Sequence, residues 1–259
     1  MKDFVEQIIK EAGELAKSYF KTGITFTTKS HPNDLVTEAD VAVSDLLTKR
    51  ILEKFPDHQI TSEEAEVVNP GAQIEWLLDP IDGTRNFANG ISWWCQIISI
   101  VKDGEPWIGA VYNPIGGEFF YAEAGHGATM NNIPINVAKK TSLDYTTAGF
   151  SCARAGYGPY GTHFARYCDL VTTLIREKNT WLHNFGCILD VCYLASGGFD
   201  YVVKNAGLDH DFVGPFLIAA EAGAKVTDSD GNPWRRGRQD VIMANPILHA
   251  EVMKLIPKI

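Results

Sequence analysis

The chain is poor in most features of a specialised binding or secreted protein. Its 259 residues include five cysteines, an odd number, and no C-x-x-C pair. That composition argues against a disulfide framework and suits a reducing compartment. No apolar run exceeds the length of a strand, so no membrane span is expected. The opening "MKDFVEQIIKEAG" carries acids where a secretory signal would carry an apolar core. A cytoplasmic location is the expectation. Positive charge is also scarce: 23 Lys and Arg stand against 32 Asp and Glu, a net charge of -9. The brief "WRRGR", Trp234 to Arg238, does not make a basic face. Nucleic acid and anionic membranes are therefore not expected as partners. There are no low-complexity segments, internal repeats or long linkers. G-x-S-x-G and G-x-x-x-x-G-K-[ST] are absent too.

What is present is a chain able to bury a core, with 45% hydrophobic and 21% charged residues. Phe4 to Phe20 has helical spacing at Phe4, Ile8, Ala12, Leu15 and Ala16. A second helix is expected from Glu38 to Phe55, and "WLLD" reads as a buried strand. From Trp93 onward, apolar or alternating runs broken by Asp-Gly, Asn-Pro and Gly-Gly predict an antiparallel meander. Beyond Leu143 the pattern alternates. Strands are expected at "TTAGFS", "FDYVVK", "AKVTD" and "DVIMAN", and helices over 162–176, 188–195, 212–222 and the end of the chain. The fold class is thus α+β or layered α/β. An N-terminal lobe, 1–143, and a C-terminal lobe, 144–259, are expected to form one compact unit.

The acidic residues are placed unusually. In "WLLDPIDGTRNF", Asp79 and Asp82 stand close together at the end of a buried run. Like charges at this spacing repel, and burial penalises both. Arg85 alone does not compensate them together with Glu63 of "TSEEAE" and Asp211 of "GLDHD". A hard divalent cation with oxygen ligands does. Carboxylates from separate loops suit two ions about 4 Å apart, the spacing that clamps an in-line phosphoryl displacement. Gly83 lets the backbone approach an anion, and Thr84 offers a hydroxyl. Simpler roles exist for single residues. Thr37 and Asp40 have the spacing of a capping pair, Asp211 suits a helix N-cap, and Glu63 with Glu64 suits a solvated loop. Asp79 with Asp82 is different, because a turn needs no second carboxylate.

"DLVTEAD", "SEEAE", "WLLDPIDGTRNF" and "GLDHDFVGPFLIAAEAGA" follow the order and spacing of the inositol monophosphatase family, which the chain resembles over nearly its whole length. The resemblance implies an αβαβα fold, usually a homodimer, in the lithium-sensitive, Mg²⁺-dependent phosphatase group with two or three ions per site. It implies hydrolysis of a phosphomonoester by a metal-activated water. Glu63, Asp79, Asp82, Asp211 and the Ile81 carbonyl match the metal ligands. Thr84, Asp40 and Glu63 match the groups that orient and deprotonate the water, and the backbone at Gly83 and Thr84 matches the phosphate cradle. Inositol 1-phosphate is the family's default substrate; histidinol phosphate, sugar phosphates or bisphosphates and nucleotide phosphates stay open.

The departures concern the substrate side. Ser62 and His210 replace the family's usual Gly and Trp. "HNFGC" places His183 and Cys187 where Arg-x-x-Gly-Ser is usual. Lys204 falls where inositol-specific members carry Glu, which favours a substrate with a second anionic group. His183 and Lys204 are thus the expected substrate contacts. Three other readings fit less well. The aspartates of the haloacid dehalogenase type are one residue apart, whereas two residues separate Asp79 and Asp82. "GYGPYG", 156–161, matches G-x-G-x-x-G, but Pro159 interrupts it and no acid follows at the required distance. A non-catalytic regulator would not need the complete carboxylate set.

Overall fold

The computed structural model describes residues 1–22, 26–28, 35–151 and 164–257. "GYGPYG" lies outside them, as do the first two residues of the helix expected from 162. The chain opens with α1 (Lys2–Thr22), β1 (Phe26–Thr28), β2 (Leu35–Thr37) and α2 (Glu38–Lys54). Then come β3 (Gln59–Ser62), β4 (Ile74–Asp82), α3 (Thr84–Ala88), β5 (Cys95–Lys102), β6 (Glu105–Asn113), β7 (Glu118–Glu123), β8 (Ala128–Met130) and β9 (Ile133–Ile135). The rest comprises β10 (Thr147–Ser151), α4 (Phe164–Lys178), β11 (Trp181–His183), α5 (Leu189–Ala195), β12 (Tyr201–Lys204), α6 (Asp209–Glu221), β13 (Lys225–Thr227), β14 (Val241–Ala244) and α7 (Pro246–Leu255). Among the described residues, no helix is long and apolar enough to cross a membrane.

Two sheets carry the fold. Strands β3 to β9 form a seven-stranded sheet in sequence order, antiparallel except for the β3–β4 pair. The second sheet has the order β11-β10-β12-β14-β13, with β10 parallel to both of its neighbours. β1 and β2 pair separately. One face of the large sheet packs on α1 and α2, where Val5, Ile8, Ile9, Ala12, Val43, Leu47 and Ile51 meet Trp76, Leu78, Ile98 and Ile100. α5 and α6 fill the space between the sheets, and their Leu189, Val191, Phe212 and Phe216 meet Ile97, Val111, Val202 and Met243. α4 and α7 cover the far face of the second sheet through Tyr167, Leu170, Leu248 and Val252. The result is the expected αβαβα sandwich. β5 is covered on both faces, and its largely apolar "CQIISIV" segment is buried throughout, Gln96 and Ser99 included.

The central layer is tight. A Cβ on Gly109 of β6 would lie 2.2 Å from the carbonyl oxygen of Gly214 in α6. Backbone meets backbone there, so no side chain can yield. α6 therefore rides at glycine distance on the large sheet, and this fixes the height of its first turn. Replacing Gly109 with Ala must lift the helix. The expected loss is about 1–3 kcal/mol or more, the usual cost of overpacking, read from chemical denaturation.

Candidate metal centre

β4 ends in a β-bulge. Asp79 is in register with Ile97, but Asp82, three residues on, is in register with Cys95, only two residues back along β5. In a regular strand, residues three apart point to opposite faces. The extra residue cancels that alternation and re-aims a side chain, as bulges do. Pro80 lies inside the irregularity, where a missing N–H is tolerated. The sequence "DPID" thereby becomes a pair of carboxylates on one side of the sheet.

α6 delivers the third. Its first turn holds Asp211, whose carboxylate accepts the Leu208 N–H at 2.6 Å. The capping role thus exists alongside any other. Arg236, from "WRRGR", anchors this end of the helix by reaching Asp209 and Glu75, each at 3.0 Å. Oxygens of Asp79, Asp82 and Asp211 lie within 4.8 Å of one another. They face a cleft of about 470 Å³ whose lining also includes Glu63, Ile81, Gly83, Thr84 and Arg85. Asn184, Phe185 and Gly186 form the facing wall. Glu63 stands outside the tight trio. The His210 ring lies between it and Asp211, with Nε2 at 3.9 and 3.6 Å from the two carboxylates.

Asp40 opens α2 and is 1% exposed. It closes a capping box with Thr37, whose N–H donates to it at 2.8 Å and whose hydroxyl donates as well. The Thr84 hydroxyl lies 3.4 Å from the other Asp40 oxygen and 2.9 Å from the Ile81 carbonyl. One proton serves one acceptor at a time. Gly83 sits before α3 at φ +87, a left-handed conformation that glycine adopts without strain. A Cβ there would also press on the Trp93 carbonyl and on Cys187. Asn86 ties the two walls together by donating to Trp93 O at 2.8 Å and Phe185 O at 2.6 Å.

The electrostatics call for a cation. Burial drives the Asp79 carboxyl well above its ordinary range, and Glu63, Asp82, Asp211 and Asp40 push it further. Its Oδ1 is buried with no hydrogen-bond partner. Burial and then Asp211 raise Asp82 to about 6, against hydrogen bonds from Cys187 and the Ile188 N–H that pull it down. An orphaned buried oxygen within a set of oxygen donors is what a hard divalent cation satisfies. The residues fit a metal, with Asp79, Asp82, Asp211, Glu63 and the Ile81 carbonyl as available ligands.

The two expected substrate contacts lie elsewhere. Lys204 is 3% exposed, and its Nζ lies 2.7 Å from Asp190 in a buried ion pair. A neutralised, enclosed ammonium does not line the cleft, so the inference of a second anionic group from Lys204 falls. His183 stacks between Phe185 and Phe199, with centroids at 5.3 and 5.5 Å, behind the wall and not on it. Residues that sequence reasoning missed are Asn86, Asn184 and Phe185. Asn184 and Phe185 lie in the unusual "HNFGC" segment, and Asn86 directly follows the acidic motif in "DGTRNF". Trp94 packs in the core against Phe87 at 4.8 Å, and Trp93 against Phe185 at 4.5 Å, in keeping with a packing role.

A pH dependence follows for the metal-free protein. Asp82 binds its proton more tightly when folded than when unfolded. Stability at this group is therefore greatest below the unfolded value of 3.8 and declines as pH rises to about 6. Thermal midpoints of the metal-free chain and of Asp82→Asn should converge at pH 4 and diverge by pH 7, the variant being the more stable. Parallel curves would contradict this.

Comparison with known proteins bears on what the cleft belongs to. The family model described as "Inositol monophosphatase family" matches residues 1–259. Among curated relatives, "Nus factor SuhB" of Pasteurella multocida is 30% identical over 250 residues, covering 95% of this chain and 91% of the relative. "Fructose-1,6-bisphosphatase/inositol-1-monophosphatase" of Thermotoga maritima is 28% identical over 257 residues, covering 99% and 96%. Of solved structures, an IMPase from Thermotoga maritima superposes with a TM-score of 0.86 at 26% identity, covering 98% of this chain and 95% of that one. The extragenic suppressor protein suhB from Bartonella henselae, at 24% identity, reaches 0.90 and shares the fold, with 99% and 98% covered. With a matching family model over its full length and the αβαβα sandwich of these neighbours, the chain belongs to the inositol monophosphatase family.

Proposed function

We propose that the protein is a Mg²⁺-dependent phosphomonoester hydrolase acting on an inositol monophosphate. The observation that carries this reading is the convergence of Asp79, Asp82 and Asp211 at one cleft, with an Asp79 oxygen buried and unpaired. Asp79, Asp82, Asp211, Glu63 and the Ile81 carbonyl would hold Mg²⁺, two or three ions in all. Such a metal would supply a lowered water pKa and positive charge at the phosphoryl group. The chain's own groups do the rest. Thr84 would orient a water by accepting its hydrogen bond, while its own hydroxyl proton, which stays on Thr84, is directed at Asp40 at 3.4 Å. Asp40 is held for this by the Thr37 cap, so a structural hydrogen bond and a catalytic one share a carboxylate. Glu63, at the cleft edge, takes the water's proton. The N–H groups of Gly83 and Thr84 face the phosphoryl oxygens, since the first N–H groups of a helix have no partner within it.

On the leaving-group side, the cleft presents Asn184, Asn86 and Phe185. Arg85 is the single basic side chain among its described lining residues. Amides and one aromatic face suit a neutral polyol better than a second phosphate or a cationic amine. Two relatives carry different names, one an enzyme's and one a Nus factor's. Since a regulator has no need of mutually repelling buried carboxylates, hydrolysis is the reading preferred.

The first test is phosphate release from a panel of inositol, histidinol, sugar and nucleotide phosphates with Mg²⁺, with EDTA, and with Mg²⁺ plus Li⁺. Metal-dependent, lithium-inhibited release, fastest on inositol monophosphate, is expected. Asp79→Asn should lower the rate by more than about a hundredfold, beyond what loss of an outer contact to a metal costs. Thr84→Ala should cost about 10²-fold or more in kcat with little change in KM, the signature of a group that orients the attacking water in the transition state. No release from any compound, by protein shown to bind Mg²⁺, would favour a binding role instead.

A further inference from the structure

Behind the carboxylate cluster lies a second group of metal-ligating atoms that the proposed hydrolysis does not use. Asp82 pairs with Cys95 across the β4–β5 ladder. Cys187 directly follows the cleft-wall residues 184–186 and reaches the backbone of Asp82. Cys95 is fully buried and Cys187 is 3% exposed. Their sulfurs are 3.9 Å apart. Cys95 Sγ donates to Asp82 Oδ2 at 3.6 Å, and Cys187 Sγ to the Asp82 carbonyl at 3.7 Å. Oδ2 also accepts the Ile188 N–H at 2.5 Å. Oδ2 and the two sulfurs all lie within 4.8 Å of one another.

These spacings match a particular chemistry. Tetrahedral zinc has Zn–S near 2.3 Å and Zn–O near 2.0–2.2 Å, which separates two sulfurs by about 3.8 Å and a sulfur from an oxygen by about 3.5 Å. The observed 3.9 and 3.6 Å match these two spacings, and Cys187 Sγ lies within 4.8 Å of Asp82 Oδ2. Two thiolates select a soft or borderline cation over Mg²⁺. The Asp82 carbonyl supplies an oxygen for a fourth position. Entry is short, because Asp82 and Gly186, the neighbour of Cys187, both line the cleft.

We propose that Cys95, Cys187 and the Asp82 carboxylate form a soft-metal site for Zn²⁺ or Cd²⁺ on the reverse side of the carboxylate cluster. Binding exchanges the two thiol protons, released to solvent, for two sulfur–metal bonds. Asp82 then stands between two cations. A soft ion on Oδ2 withdraws charge from the carboxylate and weakens its hold on the hard ion in the cleft. This consequence, unlike the site itself, rests on the hydrolase reading. The soft metal would act as an inhibitor that never touches substrate.

The test is a Cd²⁺ titration of the full chain at saturating Mg²⁺, read by the ultraviolet thiolate-to-cadmium charge-transfer band. Cys152 lies outside the described residues and Cys168 is half-buried, so both serve as controls. The band should appear with one Cd²⁺ per chain, persist in Cys152→Ser/Cys168→Ser, and vanish in Cys95→Ser/Cys187→Ser. Its absence from the wild type or from Cys152→Ser/Cys168→Ser overturns the site, as does its survival in Cys95→Ser/Cys187→Ser. Should that last variant fail to fold, the Cys152→Ser/Cys168→Ser protein decides alone. In the activity arm, one equivalent of Cd²⁺ should raise the Mg²⁺ needed for half-maximal phosphate release about tenfold, the scale of an altered outer contact to a metal. An unchanged Mg²⁺ requirement with the band present overturns the inhibition. A band without phosphate release from any substrate supports the site and counts against the hydrolase.

Discussion

Mutual repulsion among Asp79, Asp82 and Asp211 is the constraint around which the rest of the structure is arranged. Three carboxylates within 4.8 Å, one of them 1% exposed, are not a stable arrangement by themselves. Among the described residues, the basic groups around them are largely engaged with other carboxylates. The nearby Lys204 is paired with Asp190, and Arg236 with Glu75 and Asp209. Arg85 is the one basic side chain among the described residues lining the cleft, fewer than its carboxylates. This is the expected trade between stability and function: residues that would relax the fold by becoming neutral are those that give the cleft its affinity for a cation.

Holding repelling groups together requires rigid supports, and each carboxylate has one. Asp79 and Asp82 hang from a central strand paired on both sides, and the bulge turns them to a common side. Asp211 comes from a helix pressed onto the same sheet at Gly109 and Gly214, so that only glycine fits the approach. Asp40 is held by its own helix cap. Regular elements place side chains more accurately than loops do. The contacts that look purely structural, a cap, a bulge and a glycine pair, are therefore what give the site its geometry.

The wall across the cleft is organised differently. Residues 184–186 form no regular element, and Asn86 fastens them to α3 through two carbonyls. Aromatic stacking of Trp93, Phe185 and His183 supports them from behind. In the proposed hydrolase this wall would meet the alcohol half of the substrate, and "HNFGC" is one place where the sequence departs from the resemblance. Cys187 closes the same wall, so variation on the substrate side has brought a thiol to the back of Asp82.

Much of this was legible in the sequence because it depends on local pattern. Helical spacing in Phe4 to Phe20, the apolar runs of the meander strands, the turn residues between them and the order of the acidic segments require no tertiary knowledge. Local pattern also announced the capping pair of Thr37 and Asp40. The short strands β3, β8, β9 and β11 were not individually legible, since three or four residues carry too little periodicity and are strands only because a neighbour pairs with them. The function of Lys204 was misjudged for a related reason. A lysine in "FDYVVK" advertises a charge, but whether that charge meets a substrate or a buried partner depends on Asp190, which a parallel strand and a helix bring to 2.7 Å from a distance along the chain. The sequence by itself determined which carboxylates the protein has and in what order. Only the tertiary structure decided which converge, through one bulge and one helix seated at glycine distance, because convergence depends on register and packing height that no local pattern encodes.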